Sequence, residues 1–347
     1  MAALRIGQIG LGYWGPNLLR AMREVPRAQV VALADSDGGR LPPQSAHGQE
    51  LFVTRDYREL LGRPDVDAVI IAVPAALHAR MVGEALEAGK HVLVEKPLAM
   101  TVADGAALVA LAERNRRVLM VGHIFLYNAA VRRLKEYIAS GELGDVLYLY
   151  AQRLNLGRVR QDVNALWNFG PHDVSILLYL LGAAPQNVSA RGFAYLQPDL
   201  EDVVFLTATF PGGVCAHVHI SWLDPHKVRR MTVVGSRKMV VYDDASVDAR
   251  IVLHDRGVDR VPTADSPSDF GSFAEFQLAL RHGDITIPAL KFPEPLQLEC
   301  QHFVDCVTEG RTPLTDGRHA LEVVRVLEAA QRSLREDGRT IALEGER

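Results

Sequence analysis

Cysteine is scarce in this chain. Cys215, Cys300 and Cys306 are its only three, and none sits in a Cys-x-x-Cys pair. That excludes a disulfide framework, and all three are read as reduced thiols. No apolar run reaches the length needed to span a bilayer. An excess of positive charge is also missing. With 38 Lys and Arg against 42 Asp and Glu, the net charge is −4. No basic field invites nucleic acid or an anionic membrane. The chain turns at once into strand-like Leu4 to Ile9, which leaves no room for a signal peptide, so the expected compartment is the cytoplasm. Neither an internal repeat nor a low-complexity tract stands out. What is present, 48% hydrophobic and 23% charged residues, is the composition of a soluble globular protein. A length of 347 residues makes two domains the natural expectation.

The amino-terminal third alternates short apolar strands with helices. Leu4 to Ile9 runs into Gly10-Leu11-Gly12-Tyr13-Trp14-Gly15, and a helical stretch, Asn17 to Val25, follows. Strand, Gly-x-Gly-x-x-Gly, helix is the order a dinucleotide-binding turn requires. The first glycine permits the turn, the second lets backbone approach a pyrophosphate, and the third allows close helix–strand packing. Pro16 falls in the first helical turn, where a missing N–H costs little. A second strand, Gln29 to Ala34, ends in Asp35, twenty residues beyond Gly15. A carboxylate there can accept from ribose hydroxyls and repels a 2′-phosphate, which favours NAD over NADP. Arg40 is near enough in sequence to weaken that preference, and Asp35 as a simple helix cap is the competing reading.

The alternation continues through Phe52 and Val53, a helical turn at Asp56 to Leu61, and a strand Asp67 to Val73 closed by Pro74. A helix from Leu77 to Ala88 is stopped by Gly89; another follows from about Val102 to Asn115, and Arg117 to Val121 is the last strand of the series. This pattern implies a parallel, doubly wound sheet over residues 1–122. Val73, Pro74 and His78 should border the cofactor, although His78 also fits a surface helix position. Between those helices, His91 to Val94 runs straight into Glu95-Lys96-Pro97. Ligands of open parallel sheets bind outside the carboxyl ends of the strands, which places this Glu-Lys pair at the lip of the crevice. Pro97 restricts Lys96 to an extended backbone. The ammonium group can then meet a substrate hydroxyl or keto oxygen, unless the segment is an ordinary polar turn.

Taken together, the glycine turn, Val73-Pro74 with His78, Glu95-Lys96-Pro97, Gly122-His123 and the later Asn168-Phe169-Gly170-Pro171-His172 make the chain resemble the Gfo/Idh/MocA family of NAD(P)-dependent oxidoreductases. The resemblance covers nearly the whole chain. It implies a Rossmann domain (1–122) and a carboxyl-terminal α+β domain (123–347) built on a large, mostly antiparallel sheet. That sheet would carry substrate and often the contact of a homodimer or homotetramer. The carboxyl-terminal helices are implied to pack back on the Rossmann half. Reversible hydride transfer at a secondary alcohol of a sugar, cyclitol or sugar nucleotide is the implied activity. Gly10, Gly12, Tyr13, Trp14, Gly15, Asp35, Val73, Pro74, His78, Glu95 and Lys96 are then the cofactor contacts. Lys96, His123, Tyr127, Arg153, Asn155, Asn168 and His172 are the substrate contacts. Asn168 stands where relatives carry an acid, and asparagine cannot take a proton. The proton work therefore shifts to His172 and Lys96, because imidazole titrates near neutrality. His172 as a helix-capping residue is the plainer alternative.

In the second half, Ala129 to Ala139 reads as a helix and Asp145 to Arg153 as a strand. The apolar helix opened by Asp173 reads as Val174 to Leu181. Strands follow at Asn187 to Tyr195, Asp202 to Phe210, Val214 to Trp222, Arg229 to Val234, Lys238 to Tyr242 and Ala249 to His254. Thr263 to Ser272 reads as a loop, and Leu296 to Thr308 and Gly317 to Glu336 as helices with Cys300 and Cys306 in their core. Arg153, Arg158 and Arg160 hint at an anionic substrate, since guanidinium forks suit phosphate, but solvated loop charges fit as well. His217 and His219 share a strand face without a carboxylate at ligand spacing, so a subunit contact is expected there rather than a metal. The expected protein is an NAD-dependent oxidoreductase acting on a sugar, foremost a nucleotide sugar. The rivals are a cyclitol dehydrogenase, an NAD-dependent glycoside hydrolase and a non-catalytic NAD-binding regulator.

Overall fold

The computed structural model describes residues 3–42, 51–157, 159–262 and 276–343. Its first elements are β1 (Leu4–Ile9), α1 (Gly15–Arg23), β2 (Ala28–Ala34), β3 (Phe52–Thr54), α2 (Tyr57–Leu61), β4 (Ala68–Ile71), α3 (His78–Glu87), β5 (His91–Glu95), α4 (Val102–Arg114) and β6 (Leu119–Gly122). Then come α5 (Ala129–Ala139), β7 (Val146–Leu154), α6 (Ala165–Leu181), β8 (Asn187–Phe193), β9 (Val203–Thr209), β10 (Cys215–Ser221) and β11 (Val228–Gly235). The chain ends with β12 (Met239–Asp243), β13 (Ile251–Pro262), β14 (Phe276–Thr286), α7 (Pro295–Glu309), α8 (Gly317–Arg335) and β15 (Ile341–Ala342). The chain divides into two compact units, and the division is not a single cut near residue 122. One unit holds Met1–Ala129, Gly170–Ile176 and Phe292–Arg332; the other holds Ala130–Phe169, Leu177–Lys291 and Ser333–Arg347.

The first unit is built on a six-stranded parallel sheet in the order β3-β2-β1-β4-β5-β6. Helices cover such sheets on both faces, so their strands are apolar throughout rather than alternating. β4 and β6 are buried at every residue. Register aligns the strand ends: Ile9 pairs with Ala34 and with Ile71, and Glu95 pairs with Gly122. The turns after β1, β2, β4, β5 and β6 therefore leave from one edge. α1 packs on α7 through a core that includes Leu18, Met22, Leu296, Cys300 and Phe303. Ahead of α8, Asp316 forms an isolated antiparallel bridge with Met120, and Val121 N donates to Thr315 O at 2.9 Å.

The second unit is built on a nine-stranded sheet, β14-β13-β12-β11-β7-β10-β9-β8-β15, antiparallel except for the β7–β10 pair. β9 and β10 alternate between buried and open residues, the signature of a sheet with one covered face. Leu147, Tyr148, Tyr150 and Phe205 stand on exposed positions of its strands. Two elements depart from expectation. α6 starts at Ala165 rather than Val174, because the Asn164 side chain accepts from Trp167 N at 3.1 Å and caps a helix that runs on through Pro171. β14, where the sequence suggests no particular element, pairs with a β13 that extends to Pro262. The loop expected at Thr263 to Ser272 lies outside the described residues, as does the stretch that follows it to residue 275.

Gly10 is the tightest point of the parallel edge. Its φ is +96°, and a Cβ there would stand 2.2 Å from the Ala72 carbonyl oxygen. Gly10→Ala should therefore lower stability by at least about 1–3 kcal/mol, the usual cost of a strained backbone. Urea denaturation checks this, and an unchanged midpoint would show that the turn relaxes freely.

Candidate active site

The three glycines of the first turn meet different surroundings. A Cβ on Gly15 would lie 2.3 Å from the Gly10 carbonyl oxygen, so Gly15 is required by packing. A Cβ on Gly12 would meet only Arg40 Nη1, at 3.4 Å, so backbone at Gly12 is open to an incoming group. The residue pattern thus fits a dinucleotide, with the α1 N-terminus close behind. Asp35 is buried and holds the turn in shape. Its Oδ2 accepts from Leu11 N at 2.7 Å and its Oδ1 from Asp37 N at 2.9 Å. A carboxylate has about four acceptor sites, so two remain for ribose hydroxyls. Asp35 does not cap a helix; Asp37 caps the short turn Gly38–Arg40. Arg40 pairs with Asp37 at 3.2 Å and reaches Asp35 at 3.9 Å. Tyr13 is 85% exposed beside these groups.

At the end of β5, Glu95 accepts from the Lys96 backbone N at 3.3 Å and from the Trp14 side chain. It therefore ties the glycine turn to the Glu-Lys-Pro turn. Burial pushes its pKa up to about 7, against the pull of the Lys96 charge. The Lys96–Pro97 peptide bond is cis. His78 is not on a helix surface. It is 1% exposed, with Nδ1 at 2.6 Å from the Pro97 carbonyl oxygen and Nε2 at 3.0 Å from the Val73 carbonyl oxygen. It braces two turns of the edge, and burial keeps its pKa below the ordinary histidine value. Pro74, at the second of these turns, is exposed.

His123 follows β6 and is fully enclosed, with neither ring nitrogen hydrogen-bonded among the described residues. Burial, His319 and the Lys96 charge hold its pKa well below the usual value. The His319 ring lies edge-on at 5.6 Å. The next turn carries Phe125, whose ring meets His172 at 5.1 Å. Lys96, His123, Phe125 and His172 thus belong to one unit, with the Lys96 charge acting on His123 and the Phe125 ring against His172. Tyr127 does not join them. Its ring is buried in the core and its hydroxyl lies 3.3 Å from Thr315 Oγ1, so its surface is spent on packing rather than on substrate.

The remaining candidates lie in the second unit. Arg153 is buried near Tyr242. Asn155 donates its backbone N–H to Ser221 O at 3.1 Å. Arg160 is forked on Asp162 at 2.8 and 2.6 Å, the pattern of a solvated loop pair. Arg158 lies outside the described residues. Asn168 is half-buried, one helical turn ahead of His172 on α6. His217 and His219 flank the Phe205 ring, and no metal-ligating group of three occurs among the described residues. Sequence reasoning missed His319 and Glu299, both distant in sequence from any motif. Polar residues set in the apolar rows of α7 and α8 were the available signal.

Residues 4–123 match the family model for the oxidoreductase family with an NAD-binding Rossmann fold, and residues 131–241 match the GFO/IDH/MocA C-terminal domain. The chain belongs to the Gfo/Idh/MocA oxidoreductases. It is 38% identical over 263 residues to dTDP-3,4-didehydro-2,6-dideoxy-alpha-D-glucose 3-reductase of Saccharopolyspora spinosa, covering 70% of this chain and 75% of that one. It is 27% identical to scyllo-inositol 2-dehydrogenase (NAD(+)) of Bacillus subtilis (strain 168), covering 96% and 93%. Aldose-aldose oxidoreductase from Caulobacter crescentus shares the fold, with a TM-score of 0.78, 24% identity and coverage of 98% and 100%. The chain is therefore an oxidoreductase with an NAD-binding Rossmann domain.

The depressed pKa of His78 has a measurable consequence. The unfolded chain binds a proton at this histidine first as pH falls below about 6.5, so stability declines toward acid. His78→Gln should remove that share, up to about 1.4 kcal/mol per pH unit. Urea denaturation at pH 7.5 and 5.5 reads the difference. Equal acid slopes in the two proteins would mean that His78 is not held neutral.

Proposed function

We propose that this oxidoreductase transfers hydride reversibly at a secondary alcohol or ketone of a sugar, with NAD as its cofactor and a nucleotide-linked sugar as its preferred substrate. The observation that carries the reading is the run of Lys96, His123, Phe125 and His172 within the unit that bears the glycine turn. NAD supplies the hydride acceptor, and its reduced form the donor. Gly12 leaves room for the pyrophosphate in a turn that Gly10 and Gly15 allow to pack tightly, and Asp35 offers acceptors to the ribose. Lys96 donates to the substrate oxygen and steadies the charge that develops there. His172 takes or returns the hydroxyl proton, and Asn168 orients a neighbouring hydroxyl. His123 completes the wall of the site. The nucleotide sugar is favoured by the Saccharopolyspora spinosa relative, which is named for a dTDP-linked substrate. A cyclitol is the second reading, favoured by the near full-length match to an inositol dehydrogenase. A screen of sugar nucleotides, free sugars and inositols, followed at the NADH absorbance, separates the two.

On the substrate so identified, Lys96→Met and His172→Asn should each lower kcat by about 10²–10⁴, the usual weight of a positioned acid or base. NADH should still bind both variants, and wild type should bind it more tightly than NADPH. Unchanged turnover would remove the assigned chemistry, and the opposite cofactor order would remove the role given to Asp35.

We also read the protein as cytoplasmic, and as a homodimer or homotetramer joined through the open face of the nine-stranded sheet. Among the described residues no helix is long and apolar enough to cross a membrane. Exposed Tyr148, Tyr150 and Phe205, which share one face of the sheet, support the joined face. Light scattering should give a mass at least twice that of one chain; the mass of a single chain would exclude this assembly.

A further inference from the structure

Glu299 has no part in the chemistry above. It lies on α7, in the unit of the six-stranded sheet, with 0% of its surface exposed. Neither carboxyl oxygen has a hydrogen-bond partner among the described residues. A bare carboxylate is not tolerated in such a place, so the group is kept as a neutral acid. Burial raises its pKa well above the usual carboxylate value, and the nearby charge of Glu95 raises it further. A neutral acid still has an O–H to give.

Glu95 is the acid whose charge reaches Glu299. Its carboxylate receives the Lys96 N–H and the Trp14 side chain, both donors, so its ionised form is the one that satisfies them. Burial works against that form and brings the pKa to about 7. Among the described residues, few charged or titratable groups act on the pair. Lys96 favours ionisation of Glu95. Cys300 on α7 is held as a neutral thiol, foremost by burial and further by the Glu95 charge, with the exposed Arg20–Glu294 pair beyond it.

We propose that Glu299 is a positioning residue for the reaction. As a neutral acid it hydrogen-bonds to Glu95, through one trapped water or a small rotation of its side chain, and so keeps Glu95 ionised and the Trp14–Glu95–Lys96 junction in place. The inference rests on the reading of Lys96 as the group that meets substrate, but its test needs no turnover.

Trp14 reports on the junction, because a proton arriving on the carboxylate that its indole meets changes its emission. Tryptophan fluorescence of the full chain, followed from pH 5.5 to 9, should show a step with a midpoint near 7. The step should vanish in Trp14→Phe and in Glu95→Gln. Glu299→Leu, which has no donor, should raise the midpoint by about one pH unit or more. Glu299→Gln, whose amide can donate, should leave it within about 0.3 unit. If the leucine variant does not fold, Glu299→Met replaces it with the same expected shift. An unchanged midpoint in the leucine or methionine variant would overturn the proposal, as would the absence of a Trp14-dependent step. A midpoint that falls by about a unit in Glu299→Gln would also overturn it, because Glu299 would then be ionised. Each of these outcomes leaves the assigned hydride transfer standing, while inert Lys96 and His172 variants would leave the fluorescence result standing.

Discussion

Parallel pairing in register is the constraint on which the site depends. In a parallel sheet every strand must be re-entered from the same end, so all connections that follow strands leave from one edge. The order β3-β2-β1-β4-β5-β6 adds a reversal: the chain winds away from β1 on one side and from β4 on the other. The turns on either side of that reversal cannot fill the space between them, and a crevice opens there. Gly10, Asp35, Val73, Glu95 and His123 are separated by up to 113 positions, yet each follows or ends a strand at this edge. Side-chain chemistry then only has to select what enters. The positive φ of Gly10 follows from the same constraint, because the Ala72 carbonyl leaves no room for a Cβ.

Burial at this edge acts against charge of both signs. It lowers the pKa of His78, His123 and His319 and raises that of Glu95 and Glu299. The histidines are thereby held neutral beside Lys96, whose charge acts on His78, His123 and Glu95 alike. Neutral imidazoles add no positive charge to compete with the ammonium for an anionic oxygen. The arrangement costs stability, since the ring nitrogens of His123 and the carboxyl oxygens of Glu299 are buried without a hydrogen-bond partner among the described residues. The dense apolar packing between α1 and α7 offsets that cost within the same unit.

The sequence showed this edge clearly because its signals are local. A glycine turn between strand and helix, an acid twenty residues on, and a Glu-Lys-Pro at a strand end are each readable within a few residues. What stayed hidden depends on contacts far along the chain. His78 reads as either a cofactor neighbour or a surface residue until Pro97 is brought 2.6 Å from its ring. Tyr127 looks polar enough for substrate until Thr315 takes its hydroxyl. Glu299 is one of three acids in α7, and only its burial and the charge of Glu95 give it meaning. The start of α6 was misplaced because proline normally opens a helix rather than interrupting one, and the Asn164 cap lies seven residues earlier. β14 was overlooked because its only partner is β13, at the edge of the sheet, so its residues need no strong apolar pattern.

The charge of the substrate is where the relatives diverge. One relative is named for a dTDP-linked sugar and another for a neutral cyclitol. Of the arginines that suggested an anion, Arg153 is buried and committed to the interior of its own unit. Arg160 differs, because both it and Asp162 keep more than a third of their side-chain surface open. An exposed pair of this kind contributes only about 0–1 kcal/mol, even when its distances are short. A diphosphate offers the same planar fork of oxygens with more charge, so it can exchange for Asp162 at little cost. The fork on Asp162 therefore does not argue against an anionic substrate; it keeps a guanidinium ordered and easily released, on a loop that follows directly from β7.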